Sequence, residues 1–186
     1  MSARPEGDVG ALDGLTHLDE HGHAHMVDVT AKPLTRRLAV ARCTVMTTVE
    51  AVASLGNARD GIDPVEAARV AGVHGAKQTY TLIPLCHSIH LDRVAVDVQA
   101  RADRIEIKAV TEIVERTGVE MEALVACAVT GLALLGSLLD LDPQASLEEL
   151  TLWHKSGGRS GVWQRIWPDG GVRANPLEQG GTLELP

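Results

Sequence analysis

The sequence predicts an α+β fold in which an antiparallel sheet carries its helices on one face. Two β-patterned runs, 89–100 and 104–114, are separated only by Arg101–Asp103, the spacing of a hairpin. Further β-patterned runs lie at 37–48 and 147–154, with the helical segments falling between strands. Neighbouring strands with helices returning over one face make an α+β sandwich.

The elements follow in chain order. Arg37 to Thr48 contains Leu-Ala-Val-Ala-Arg-Cys-Thr-Val-Met-Thr, β-branched and alternating enough for a strand. Val49 to Leu55 reads as a short helix. Pro64 stands where a helix begins, because the N–H it lacks has no partner there in any case. Val65 to Leu82 follows, with Val65, Ala68, Val70 and Val73 near helical spacing. Pro84 should end that helix, since the residue before a proline is driven out of the α region. After the hairpin comes a helix over 119–140, then the strand Leu147 to His154.

Composition limits what this fold can be. The chain has 186 residues, 45 % of them hydrophobic, enough for one compact domain with a good core. Aromatics are 2 % with no Phe, so the core is built from Leu, Val, Ile and Ala, which suits close packing and subunit interfaces. The domain is expected over 15–167, between tails at 1–14 and 168–186, the second marked by Pro168, Pro176 and Pro186. A net charge of −8 and a pI near 5.4 argue against a nucleic-acid binder, whose affinity needs a basic face. Cys43, Cys86 and Cys127 fit neither a disulfide framework nor a paired-cysteine metal site, which points to a reducing cytoplasm. The N-terminus lacks the apolar stretch of a secretory signal. Ala123 to Leu139 is uncharged and just long enough to span a membrane. Without an aromatic belt or basic flank it is expected to be a core or interface helix, with no membrane partner.

Five stretches can carry chemistry. Glu120 and Glu122 open the uncharged helix. A helix N-terminus favours one carboxylate by about 0.3–1 kcal/mol. Residues two apart point about 200° from each other, so both are solvated only if the helix start borders an opening. Cys86 and His87 end Leu-Ile-Pro-Leu-Cys-His at 82–87, either as a packed cysteine with a loop histidine or with His87 donating to a phosphate or acting as acid or base near neutral pH. Lys155-Ser-Gly-Gly-Arg-Ser-Gly161 has the glycines and cations of a phosphate cradle, although Gly-Ser loops also serve as plain connectors. His17, His21, His23 and His25 include imidazoles able to select zinc, copper or nickel, but their spacing matches no zinc pattern and a solvated arm explains them. Arg69 and Lys77, eight residues apart, share a helix face that is either a solvated edge or a local field for an anion.

These pieces also occur in a telling order. His-Met-Val-Asp-Val-Thr at 25–30, Ala-Arg-Val-Ala-Gly at 68–72, Ala-Lys-Gln-Thr at 76–79, Leu-Ile-Pro-Leu-Cys-His, Thr-Gly-Val-Glu-Met-Glu-Ala-Leu at 117–124 and the 155–161 loop follow one another. In this the chain resembles the molybdenum cofactor biosynthesis protein C family, the cyclic pyranopterin monophosphate synthases, over residues 15–161. The resemblance implies a ferredoxin-like fold and a homohexamer assembled from dimers, with active sites at subunit interfaces. It implies conversion of 3′,8-cyclo-7,8-dihydroguanosine 5′-triphosphate to a cyclic phosphate with release of pyrophosphate, without cofactor or metal. Leu85, Cys86, His87, Met121 and Glu122 would contact this purine or pterin triphosphate, with Glu120 beside them and Lys77, Lys155 and Arg159 facing the phosphates.

The chain departs from the family pattern where the family carries its acid–base groups. Gly136 and Leu139 replace an Asp and a Lys, and Gly61 replaces a Lys, none of them able to transfer a proton. Arg159 replaces a lysine, keeping charge but changing geometry. Asp140 and Asp60 stand near the vacant positions as substitutes. The pattern is compatible with a lyase using altered groups, with a paralogue acting on another purine or pterin triphosphate, and with a non-catalytic binding member.

Overall fold

A computed structural model describes residues 17, 19, 21–56, 61 and 63–166. Both expected tails, 1–14 and 168–186, lie outside the described residues, as does Asp60. The elements are β1 (Thr35–Met46), α1 (Val49–Ser54), α2 (Pro64–Lys77), α3 (Thr79–Leu82), β2 (Arg93–Ala100), β3 (Arg104–Glu115), α4 (Glu120–Leu138), β4 (Ser146–Ser156) and β5 (Trp163–Gln164). The five strands form one antiparallel sheet in the order β2-β3-β1-β4-β5, with the helices packed against it. This is the α+β, ferredoxin-like arrangement.

Alternation decides which face is covered. Ala39, Ala41, Cys43 and Val45 of β1 lie beside Ile105, Ile107, Ala109 and Ile113 of β3 in the main core, opposite Ala123, Ala126, Cys127, Leu134 and Leu138 of α4. Small side chains on both sides let the helix approach the sheet closely. The same economy joins the helices. A Cβ on Gly72 of α2 would come within 2.0 Å of Thr130 Oγ1, and one on Gly75 within 2.7 Å of Val129 Cγ2. α4 is apolar enough by composition to cross a membrane, yet nine of its residues are buried in the fold, among them Leu134 and Leu138. On the other sheet face Leu38, Val40 and Val110 form a smaller cluster with Trp153, over which the Arg42 guanidinium lies 4.2 Å from the ring centre.

Local chemistry sets the boundaries. The Asp63 carboxylate caps α2, accepting from Val65 N at 2.8 Å and Glu66 N at 3.3 Å, with Pro64 in the first turn. The single helix expected over 65–82 is two, because Gln78 leaves helical geometry at φ −104, ψ 9 before α3 begins. β2 starts at Arg93 rather than Ile89, and residues 89–92 lead into it. β4 runs two residues beyond His154 to Ser156, with register shifts against β1 between Val40 and Ala41 and between Arg42 and Thr44. β5 is only two residues long, too short to carry a periodic signal. Asp142 ties the far end of α4 to the start of α1, accepting from Thr47 Oγ1 at 2.8 Å, Thr48 N at 3.2 Å and Gln144 N at 3.0 Å.

Candidate functional site

Four segments meet where β3 passes into α4. Thr111 Oγ1 donates to Val119 O at 2.9 Å and fixes the helix start. Val119 offers no side-chain cap, so the first turn of α4 keeps free N–H groups beside its two carboxylates. Gly118 makes room for one of them, since a Cβ there would lie 1.9 Å from Glu120 Oε2. Lys155 Nζ reaches Glu120 Oε1 at 3.0 Å, which joins the β4 end to the α4 start.

The loop after β4 lies directly on β1. Gly157, Gly158 and Gly161 have φ of +93, +69 and +64, the left-handed region where a Cβ is disfavoured. A Cβ on Gly157 would stand 2.0 Å from Arg36 O, and one on Gly158 2.0 Å from Arg37 Nη1. The Arg37 guanidinium is thereby laid against the loop, and it also donates to Glu115 O at 3.3 Å and Arg116 O at 3.0 Å. Arg116 Nε in turn donates to Lys32 O at 3.0 Å.

Together these segments enclose an open cavity of about 310 Å³. Its cations are Lys32, Arg37, Arg116 and Arg159, and its acids are Glu120 and Glu122. Cys86 and His87 enter from the turn after α3, where Cys86 N donates to Ile83 O at 3.0 Å. His87 Nε2 lies 2.9 Å from Val27 O. A carbonyl only accepts, so Nε2 carries the proton and a neutral ring keeps its lone pair at Nδ1. Glu122 is 4 % exposed. Burial, the largest effect, pushes its carboxyl up to about 7 against the opposing hydrogen bond from its own backbone N–H, with the Glu120 charge adding a smaller push upward. Burial also raises the Cys86 thiol, with the Glu122 charge adding to it, so Cys86 is a neutral thiol rather than a nucleophilic thiolate.

The motifs at 82–87 and 117–124 and the start of the 155–161 loop, which frame this cationic rim and its buried carboxyl, lie in the stretch that a family of known proteins matches. The MoaC family model matches residues 26–158. The cyclic pyranopterin monophosphate synthase of Thermomicrobium roseum is 48 % identical over 155 residues, covering 81 % of this chain and 93 % of that one. Cyclic pyranopterin monophosphate synthase 2 of Mycobacterium tuberculosis is 46 % identical over 153 residues, covering 81 % and 91 %. The cyclic pyranopterin monophosphate synthase of Novosphingobium aromaticivorans is 45 % identical over 156 residues, covering 82 % and 98 %. The chain belongs to the MoaC family.

The segment matched to the MoaC family holds most of the cavity, and the fold brings most of the anticipated residues to it. Leu85, Cys86, His87, Glu120, Met121, Glu122 and Arg159 line it, and Lys155 borders it through Glu120. Lys77 does not line it and is exposed as the last residue of α2. Arg69 is engaged with Glu66 and Val98 O. Gly136 and Leu139 are exposed at the opposite end of α4; at a 1.5 Å rise per residue they stand about 24 and 28 Å from Glu120. Asp140, also exposed, is further still, so within one chain it does not reach this cavity. Gly61 is exposed with open space around its Cα.

Three rim cations, Lys32, Arg37 and Arg116, escaped the sequence reading. They meet across 84 positions for Lys32 with Arg116 and 79 for Arg37 with Arg116, so no local spacing joins them. The one available signal was Arg116, which directly precedes the Thr-Gly-Val-Glu-Met-Glu motif. Of the histidine arm only His17 lines the cavity. Asp19 orders the rest, accepting from His21 N and His23 N at 2.8 Å. Among the described residues no three His, Cys, Asp or Glu side chains gather as a metal-ligand set.

Proposed function

We propose that this chain acts in molybdenum cofactor biosynthesis as a cyclic pyranopterin monophosphate synthase. In this reading it converts 3′,8-cyclo-7,8-dihydroguanosine 5′-triphosphate to the cyclic phosphate and releases pyrophosphate. The observation that carries this is the pairing, in one cavity, of four rim cations with a buried carboxyl that forms no ion pair among the described residues. It suits a ligand that is polyanionic at one end and a hydrogen-bonding ring at the other.

Closing the cyclic phosphate requires a substrate hydroxyl to attack the α-phosphorus while the bond to the bridging α–β oxygen breaks. The charge that develops on the departing pyrophosphate faces Lys32, Arg37, Arg116 and Arg159, of which Arg37 and Arg116 are already oriented by the backbone carbonyls they donate to. The hydroxyl proton goes to His87, whose tautomer leaves Nδ1 open. Neither step uses Gly61, Gly136 or Leu139. The assembly belongs to the same proposal: a cytoplasmic homohexamer built from dimers, in which the exposed and uncharged α4 surface at Leu132, Gly136 and Leu139 is covered by a neighbouring copy.

Incubating the purified protein with the cyclic triphosphate and following pyrophosphate and product mass tests this directly. Pyrophosphate together with the cyclic pyranopterin product supports the reading. Saturable binding without turnover refutes catalysis and leaves a ligand-binding member of the family.

A further inference from the structure

The histidine segment ahead of β1 is folded back on itself and delivers one imidazole to the cavity. His25 N donates to His17 O, Asp19 N to His23 O and Gly22 N to Asp19 O, each at 2.9 Å, which closes a tight hairpin between His17 and His25. His21 and His23 keep to its turn, their ring centres 6.1 Å apart and His23 Nδ1 3.3 Å from Asp19 Oδ2. The chain leaving His25 is fixed to the cavity, because Val27 and Val29 line it and Val27 O holds His87 Nε2 at 2.9 Å. His17, bonded to His25, thereby reaches the same wall from the other limb of the hairpin.

Cyclisation needs a proton acceptor at the attacking hydroxyl and is helped by a donor at the leaving oxygen. Lysine and arginine supply charge there but release a proton only far above neutral pH. Glu120 is held by Lys155 at 3.0 Å, and the Cys86 thiol, raised by burial, is a poor acid. Glu122 is 4 % exposed, whereas His17 shares its exposure with Arg116 and Arg159 of the cationic rim. An imidazole is the side chain that exchanges a proton near neutral pH. The titratable and charged groups around His17 are Lys32, Arg37, Arg116, Arg159, Glu120, Glu122, Cys86 and His87 across the cavity, and Asp19, His21, His23 and His25 on its own hairpin.

We propose that His17 is a second catalytic residue of this cavity, the general acid for the departing pyrophosphate, paired with His87 as the base. The inference rests on the reading that this chain closes the cyclic phosphate. The hydroxyl O–H bond breaks and its proton goes to His87 Nδ1 as the oxygen bonds to the α-phosphorus. The bond from that phosphorus to the bridging oxygen breaks, its electron pair stays on the oxygen, and the proton of the His17 imidazolium goes to it. Exchange with solvent through the open cavity returns the proton from His87 to His17.

Rates of pyrophosphate release from the cyclic triphosphate between about pH 5 and pH 9, with tripolyphosphate titrations alongside, test it in the wild type and in His17→Gln. A general acid acts only while protonated, so the wild-type rate should fall on the alkaline side as well as on the acid side, where His87 gains its proton. His17→Gln keeps a hydrogen-bonding side chain without a transferable proton, and the hairpin bond of this residue uses only its backbone oxygen. The variant should react about 10²–10⁴-fold more slowly, lose the alkaline fall and bind tripolyphosphate as the wild type does. A wild-type profile without an alkaline fall overturns the assignment even if the variant does not fold. So does a variant that keeps the wild-type rate, or one that is slower only through weaker tripolyphosphate binding with the alkaline fall intact. A wild type that binds tripolyphosphate but releases no pyrophosphate overturns the synthase reading and the role of His17 with it.

Discussion

Three glycines of the 155–161 loop allow the cost of a left-handed backbone to be separated from the cost of a lost phosphate contact. Alanine at Gly161, with φ +64 and no atom within 4 Å of the added Cβ, meets only the conformational penalty, about 1 kcal/mol. Alanine at Gly158, at φ +69, has that penalty and a Cβ 2.0 Å from Arg37 Nη1. The arginine can swing away, but it then gives up its bonds to Glu115 O and Arg116 O. Discounted for partial exposure, these bring the total to about 2–3 kcal/mol. Alanine at Gly157 meets the Arg36 carbonyl at 2.0 Å, a backbone atom that cannot move aside, and should cost more than either. At about 2–4 °C per kcal/mol for a chain of this size, Tm falls by roughly 3 °C for Gly161→Ala and roughly 6–10 °C for Gly158→Ala. Affinity for tripolyphosphate should fall about 10-fold in Gly158→Ala, the loss of one charge-assisted contact, and remain as it was in Gly161→Ala. Calorimetric melting and titration read both quantities. Equal Tm losses and equal affinities for these two variants would refute the claim that Gly158 positions Arg37 on the cavity.

Further expectations concern single buried acids. The Glu122 carboxyl binds its proton more tightly in the folded chain, at about 7, than in the unfolded one, near 4.5. Its stabilising contribution is therefore complete below about pH 4.5 and is lost as the pH rises through 7. Glu122→Gln should gain on the wild type by on the order of 2–3 kcal/mol between pH 5 and pH 8, read as a widening Tm difference; a difference that is flat in pH would contradict the burial assigned to Glu122. Asp142→Ala leaves Thr48 N and Thr47 Oγ1 without their acceptor and should cost about 2–3 kcal/mol in denaturant unfolding, and a loss under 0.5 kcal/mol would show that the α4 end does not anchor α1. Lys155→Ala frees Glu120 beside Glu122 and should weaken tripolyphosphate binding about 10-fold; unchanged affinity would remove Lys155 from the site.

Much of the fold was legible because its signals are local. The hairpin 93–115 announced itself by two alternating runs and a short turn, and α4 by a long uncharged stretch with carboxylates at its start. Gln78 carries no strong breaker chemistry, so the division of α2 from α3 was not readable. β5 is held by pairing Trp163 and Gln164 with Lys155 and His154, a tertiary contact without periodicity. The site divided in the same way. Cys86, His87, Glu120, Glu122 and Arg159 lie in compact motifs, whereas Lys32 and Arg37 are ordinary cations in the sequence and gain their meaning from segments folded against them.

The sequence by itself determined the layering, with helices on one face of a sheet, and the motifs at the start of α4, because side-chain periodicity and backbone preference act within a few residues. Only the tertiary structure decided which charges share a cavity. It set Gly136 and Leu139 a full helix length away from Glu120 and removed Lys77 from the cavity. It also made Glu122 a group that titrates near neutrality. Coulomb interactions and desolvation depend on distances through space and on the exclusion of water, and neither is written in the spacing of residues along a chain.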